Sequence, residues 1–162
     1  MRFVIVTGMS GGGKRTAIKM LEDIGFYCVD NLPVPLIEKF IELMETPNAE
    51  IQKVALGVDV RADQNFEATY KSLMQLRANG YHFEILFMDA NDETLIKRYK
   101  ETRRRHPLAQ GDGERLEDGI RRERKILQAI KGQADYVFDS SKLLTRQLKV
   151  EMDRIFLANA KG

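Results

Sequence analysis

Residues 8–14 read Gly-Met-Ser-Gly-Gly-Gly-Lys, directly after the apolar run Phe3-Val4-Ile5-Val6 and ahead of a helical pattern, Ala17, Met20, Leu21 and Ile24. Glycines let a backbone wrap closely around an anion, because no Cβ stands in the way. The loop N–H groups of Gly8, Met9, Ser10, Gly11, Gly12 and Gly13 can then turn inward, and Lys14 reaches the terminal phosphates as a point charge. The helix that follows adds the positive end of its dipole. Strand, loop, lysine and helix together specify a phosphate-binding loop. The G-x-x-x-x-G-K pattern is normally followed by Ser or Thr, whose hydroxyl binds magnesium. Here that place is taken by Arg15, with Thr16 one residue later, about 100° further round the helix. Arg15 adds charge for an anion and removes a ligand for the metal.

The rest of the chain alternates. Strand-like runs are predicted at 3–6, 26–29, 54–58, 83–88 and 136–138. Helical patterns are predicted at 14–24, 35–44, 66–78, 92–102, 115–130 and 143–157. Such alternation predicts an α/β fold, a parallel sheet of about five strands with helices on both faces. Short, continuously apolar strands are what a sheet buried on both faces requires. Ligands bind such sheets beyond the carboxyl ends of the strands. That edge gathers Gly8–Lys14, Asp30, Asp59 to Arg61, Asp89 and Asp139. No linker or repeat divides the chain, so one domain over residues 1–162 is expected. A chain of that length buries roughly 70% of its unfolded surface.

Composition excludes several classes. One cysteine, Cys28, forbids an internal disulfide and fits a reducing compartment. No apolar run approaches the ~20 residues of a membrane span, and the N-terminus enters a strand at once, so no signal peptide is expected. The chain reads as cytoplasmic. His82 and His106 lack neighbours at zinc-ligand spacing.

Asp59 ends the run Val-Ala-Leu-Gly-Val-Asp. An acid there is the Walker B pattern and would hold magnesium, directly or through water; the plainer alternative is a helix cap or turn. Asp30 either meets an acceptor hydroxyl or belongs to the turn Asp30-Asn31-Leu32-Pro33. Arg61 pairs with phosphate or carboxylate, or is a plain surface arginine. The stretch Lys97–Lys125 holds eleven of the 26 Lys and Arg residues against six acids, centred on Arg103-Arg104-Arg105. It reads as a lid over about 103–113 that supplies arginines to a transferring phosphoryl group, as a basic patch for RNA, or as a solvated face.

At this point a family resemblance is visible. Leu21 to Pro33, Asp59-Val60-Arg61, Lys97 to Leu108, Glu123-Arg124, and Ala134-Asp135 through Asp139-Ser140-Ser141 resemble the RapZ/YvcJ family of bacterial nucleotide-binding proteins, over residues 1 to about 156. The resemblance implies a P-loop NTPase fold of the nucleotide-kinase kind that binds ATP and GTP, probes magnesium, and hydrolyses both weakly. By carry-over the ATP site is Gly8 to Arg15, with Thr16 beside it, and Asp59-Val60-Arg61-Ala62 is a guanine-nucleotide element. Some members deliver a small regulatory RNA to an endoribonuclease. Family members carry Ser or Thr where this chain has Arg15, and they carry a C-terminal domain for which residues 1–162 have no counterpart.

The expectation is therefore a purine nucleotide-binding domain, slow in hydrolysis, in which Lys14 holds phosphates, Asp59 orients magnesium and Arg104 closes over the site. The rivals are a small-molecule kinase using Asp30, and a non-catalytic RNA-binding or regulatory module. Neither a preferred nucleotide nor an oligomeric state is specified by the residues.

Overall fold

The computed structural model describes residues 2–46, 51–58, 66–102 and 116–157. The elements run β1 (Arg2–Gly8), α1 (Lys14–Ile24), β2 (Tyr27–Asp30), α2 (Val34–Met44), β3 (Lys53–Gly57), α3 (Phe66–Ala78), β4 (Glu84–Asp89), α4 (Asp92–Thr102), α5 (Leu116–Gly132), β5 (Tyr136–Asp139) and α6 (Thr145–Met152). A π-helical turn, Asp153–Leu157, follows α6. The five strands form one sheet in the order β2-β3-β1-β4-β5, and every neighbouring pair is parallel. This is the α/β architecture that the alternation predicts.

The sheet sorts its helices by direction of crossing. Moving from β1 to β2 runs toward one edge, and α1 lies on that face with α6. The crossings to β3, β4 and β5 run the other way, and α2 to α5 cover the opposite face. A constant crossover handedness requires this split. Alternate residues of each strand serve the two layers. Val4, Val6, Ala55, Leu86 and Met88 pack with Ala17, Met20, Leu21, Leu148, Met152 and Phe156. Phe3, Ile5, Leu56, Ile85 and Phe87 pack with Ile37, Ile41, Leu73, Leu95, Ile120, Leu127 and Ile130.

The amino-terminal edge of the sheet is closed by a polar clasp. Arg2 donates to both Glu84 oxygens, at 2.7 and 2.9 Å, and Tyr136 donates to Glu84 Oε1 at 2.7 Å. Arg2 also lies 4.8 Å over the Phe156 ring, which meets Phe26 and Tyr136 edge-on. Clasp and aromatic cluster pin the chain's last helical segment to β1, β4 and β5. The strands are thereby held at the edge away from the glycine loop, and the opposite edge is left for a ligand.

Two boundaries differ from the sequence expectation. The second strand is Tyr27–Asp30 and not 26–29, because Asp30 continues the pairing with Gly57 while Phe26 turns into the core beside Phe156. The last helix starts at Thr145, two residues late. Leu144 stays extended, with φ −70° and ψ 156°, and its N–H donates to Gln147 Oε1 at 2.7 Å, a side chain reaching back over the helix start. Among the described residues no helix is long and apolar enough to cross a membrane.

Candidate functional site

The glycine loop leaves β1 at the centre of the sheet, between β3 and β4, where successive crossovers diverge. That is the place where open parallel sheets bind ligands. Its first anchor is the backbone of β4: Met9 N–H donates to the Met88 carbonyl at 3.0 Å. A Cβ at Gly8 would collide with that same carbonyl, so only glycine lets the loop turn this close to β4. Gly12 N–H then donates to the Met9 carbonyl at 2.7 Å, closing the loop on itself.

Three side chains hold the loop from outside. Arg98 of α4 donates to the Gly11 carbonyl at 2.6 Å and to Ser140 Oγ at 3.0 Å. Ser140, just past β5, lies 2.7 Å from the Gly12 carbonyl and 3.0 Å from the Asp89 carbonyl. Glu123 of α5 accepts from Ser10 N–H at 2.9 Å and from Ser10 Oγ at 2.6 Å, and it is fully buried.

These bonds decide which loop amides a ligand can use. Met9, Ser10 and Gly12 N–H groups are engaged by protein acceptors, while those of Gly11 and Gly13 have no acceptor among the described residues. Gly13 is the N-cap of α1 and brings no side-chain cap. The first N–H groups of a helix have no partner within it. Open amides and helix dipole therefore converge on one spot, suited to a phosphate.

Lys14 opens α1 with its side chain only 15% exposed, and its amine lies 3.5 Å from Asp30 Oδ1. Asp30 reaches that position because residue 57 has no side chain: a Cβ at Gly57 would strike the Asp30 carboxylate. Asn31 N–H donates to the Gly57 carbonyl at 3.1 Å, which holds the turn after β2. Arg15 and Thr16 are exposed, and among the described residues Arg15 makes no hydrogen bond or ion pair. Asp59, Val60, Arg61, Ala62 and the arginine segment 103–113, Arg104 included, lie outside the described residues.

Asp89 and Asp139, grouped at this edge by the sequence, have other work. Asp89 is buried and bonded to Arg124 at 3.0 Å, to Lys131 at 2.8 Å and to the Ala90 N–H at 2.7 Å. Burial alone would raise its carboxyl, but Lys131, the Ala90 amide and Arg124 outweigh burial and hold it below the ordinary carboxylate value. Asp139 accepts from the Ser141 N–H and hydroxyl. The Cys28 thiol is pushed up to about 11, by burial and then by Glu22, which keeps it an unreactive thiol.

Among the described residues no group of three or more His, Cys, Asp or Glu side chains could hold a metal ion. Magnesium at a nucleotide asks for less, one or two carboxylates beside phosphate oxygens and water. Asp30, 44% exposed beside Lys14, is chemically able to serve, and the hydroxyl lost at Arg15 is not replaced.

A family model described as the RapZ-like N-terminal domain matches residues 1–160. The chain belongs to this family. A nucleotide-binding protein of Agathobacter rectalis is 54% identical over 159 residues, covering 98% of this chain and 54% of the relative. One from Caldanaerobacter subterraneus is 52% identical over 161 residues, 99% of this chain and 56% of the relative. The chain thus spans about half the length of the curated relatives it matches. Among solved structures, a shikimate kinase from Acinetobacter baumannii in complex with shikimate has a TM-score of 0.63 at 18% identity, covering 98% of this chain and 94% of that one. The YorR protein of Bacillus subtilis, in complex with phosphorylated GDP, has a TM-score of 0.59 at 15% identity, covering 98% and 96%. The family and these structures share the five-stranded kinase fold.

Glu123, Arg98 and Ser140 were not singled out as site residues by sequence reasoning. Glu123 did leave a signal. It interrupts the apolar stripe Ile120, Leu127 and Ile130 of α5, an acid at a core position that has to find a partner.

The Asp89 cluster yields a pH prediction. A carboxyl whose folded pKa is depressed stabilises the fold above its unfolded value, near 3.9, and that contribution is lost as pH falls toward the folded value. Asp89→Asn is expected to destabilise the protein at neutral pH and to flatten the loss of stability below about pH 4. Urea midpoints measured across pH test this; an acid limb as steep as in the wild type contradicts it.

Proposed function

We propose that this chain is a purine nucleotide-binding domain, for ATP and GTP, that hydrolyses its nucleotide slowly. The observation that carries the reading is the anion cradle at the head of α1: the open Gly11 and Gly13 amides, the uncapped helix terminus and Lys14, all on one spot. The names of the relatives, nucleotide-binding proteins at 52–54% identity, support it.

In this reading Lys14 and the loop amides hold the phosphates, and Gly8 to Thr16 form the ATP-binding stretch. Asp59 is proposed as the magnesium carboxylate and, with Val60, Arg61 and Ala62, as the guanine-nucleotide element. Arg104 is proposed as the lid arginine that meets the terminal phosphate. Bound magnesium would neutralise phosphate charge. Arg15, exposed at the first turn of α1, pairs with a phosphate oxygen in this account and retains nucleotide without metal, at the cost of turnover. The cytoplasm is the proposed location. The small regulatory RNA and ribonuclease partners that the resemblance implies are proposals for a protein of the relatives' full length.

One geometric fact favours a second reading, a small-molecule kinase. Asp30 stands 3.5 Å from the Lys14 amine, where an acceptor hydroxyl would approach a terminal phosphate. ADP production that depends on an added acceptor would single out the kinase.

Calorimetric titration with ATP and GTP, each with and without magnesium, tests the main reading. Lys14→Ala is expected to lose at least about 1.5 kcal/mol of binding, the loss of a charge-assisted hydrogen bond. Unchanged affinity contradicts the assignment of the loop.

Arg15→Ser is expected to raise phosphate release and to make binding more magnesium-dependent, because serine restores a hydroxyl ligand. Rates measured for both proteins across a magnesium series decide this. Equal rates and equal magnesium dependence would show that Arg15 has no part in turnover.

A further inference from the structure

We propose that Glu123 is a specificity-determining residue of the phosphate loop: its buried carboxylate makes the metal-free loop prefer a nucleoside diphosphate to the triphosphate. The proposal rests on the nucleotide reading above and goes beyond it, to the number of phosphates the loop favours.

Glu123 stands on the core face of α5, between Ile120 and Leu127, and is 0% exposed. Both of its oxygens serve one loop residue, Ser10, through the amide at 2.9 Å and the hydroxyl at 2.6 Å. A neutral amide side chain could accept from the same donors. A carboxylate adds a negative charge that no water screens, placed directly behind a loop built for anions. Charges in such surroundings interact more strongly than they do in water.

The distribution of open donors makes that charge selective. The open amides, Gly11, Gly13 and the first turn of α1, lie toward the helix. The opposite limb, Met9 and Ser10, has both of its N–H groups engaged, by Met88 and Glu123. A diphosphate seated on the helix end of the loop meets donors. A third phosphate adds negative charge to the loop, gains no donor from the Met9–Ser10 limb, and meets the Glu123 field. A divalent cation on the phosphates removes the penalty, since the cation then stands between the like charges. Magnesium should therefore matter more for the triphosphate than for the diphosphate.

A purely structural role for Glu123 would weaken both nucleotides by the same factor, whereas the proposed role changes their ratio. Dissociation constants for ADP and ATP are measured by calorimetry in EDTA and again with magnesium. The wild type is expected to bind ADP about tenfold more tightly than ATP in EDTA, with the gap narrowing in magnesium. Glu123→Gln is expected to bring the metal-free ratio within about twofold. Ser10→Ala keeps the carboxylate and removes one hydrogen bond, so it should keep the preference.

Equal metal-free affinities in the wild type overturn the proposal, and this holds even where Glu123→Gln fails to fold. An unchanged ratio in a folded Glu123→Gln overturns it as well, and loss of the preference in Ser10→Ala assigns the effect to loop shape and does the same. Failure to bind either nucleotide overturns the underlying nucleotide reading, and the preference with it. Binding without a preference overturns the preference alone.

Discussion

The Met88 carbonyl is the contact on which the site depends. It accepts the Met9 N–H at 3.0 Å, and the approach is possible only because Gly8 has no Cβ to meet it. A side chain at either of the closely packed positions, Gly8 or Gly12, would push the loop off β4. The amides would then no longer converge on the head of α1. The core supports this contact from below: Met88 lies in the layer of Ala17, Met20 and Leu21, so the strand that anchors the loop also seats the helix that completes it.

Around that contact the loop is held by parts distant in sequence. Arg98, Glu123 and Ser140 come from α4, α5 and the turn after β5, and each fastens a different loop residue. Arg124, next to Glu123, bonds Asp89, Asp92 and the Ala90 carbonyl, which fixes α5 to the end of β4. The shape of the empty loop is thus set by the protein. A preorganised site of this kind loses less on binding than one ordered by its ligand.

Much of this was legible in the sequence, for identifiable reasons. The five strands are short β-branched or aromatic runs and the helices carry 3.6-residue periodicity, so the architecture and most element positions follow from pattern alone. The loop motif is local, and the structure puts Gly8 to Lys14 together as one turn. What escaped is non-local. That Asp89 is neutralised by Arg124 and Lys131, two positions seven residues apart on a helix beyond the basic segment, cannot be seen before the helix is laid over β4. Asp30 reached Lys14 by way of Gly57, a glycine read simply as part of a strand. Glu123 was visible only as an acid out of pattern, and its partner, Ser10, is 113 residues away.

The central claim is that the Gly8–Lys14 loop is the place where phosphate binds. Backbone amide shifts of the isotope-labelled protein, titrated with ATP and magnesium, test it residue by residue. The account predicts that the largest shifts fall on Gly11, Gly13, Arg15 and Thr16, whose amides face the cradle. ATP that binds while leaving these four amides unmoved, with its largest shifts elsewhere on the protein, would contradict it.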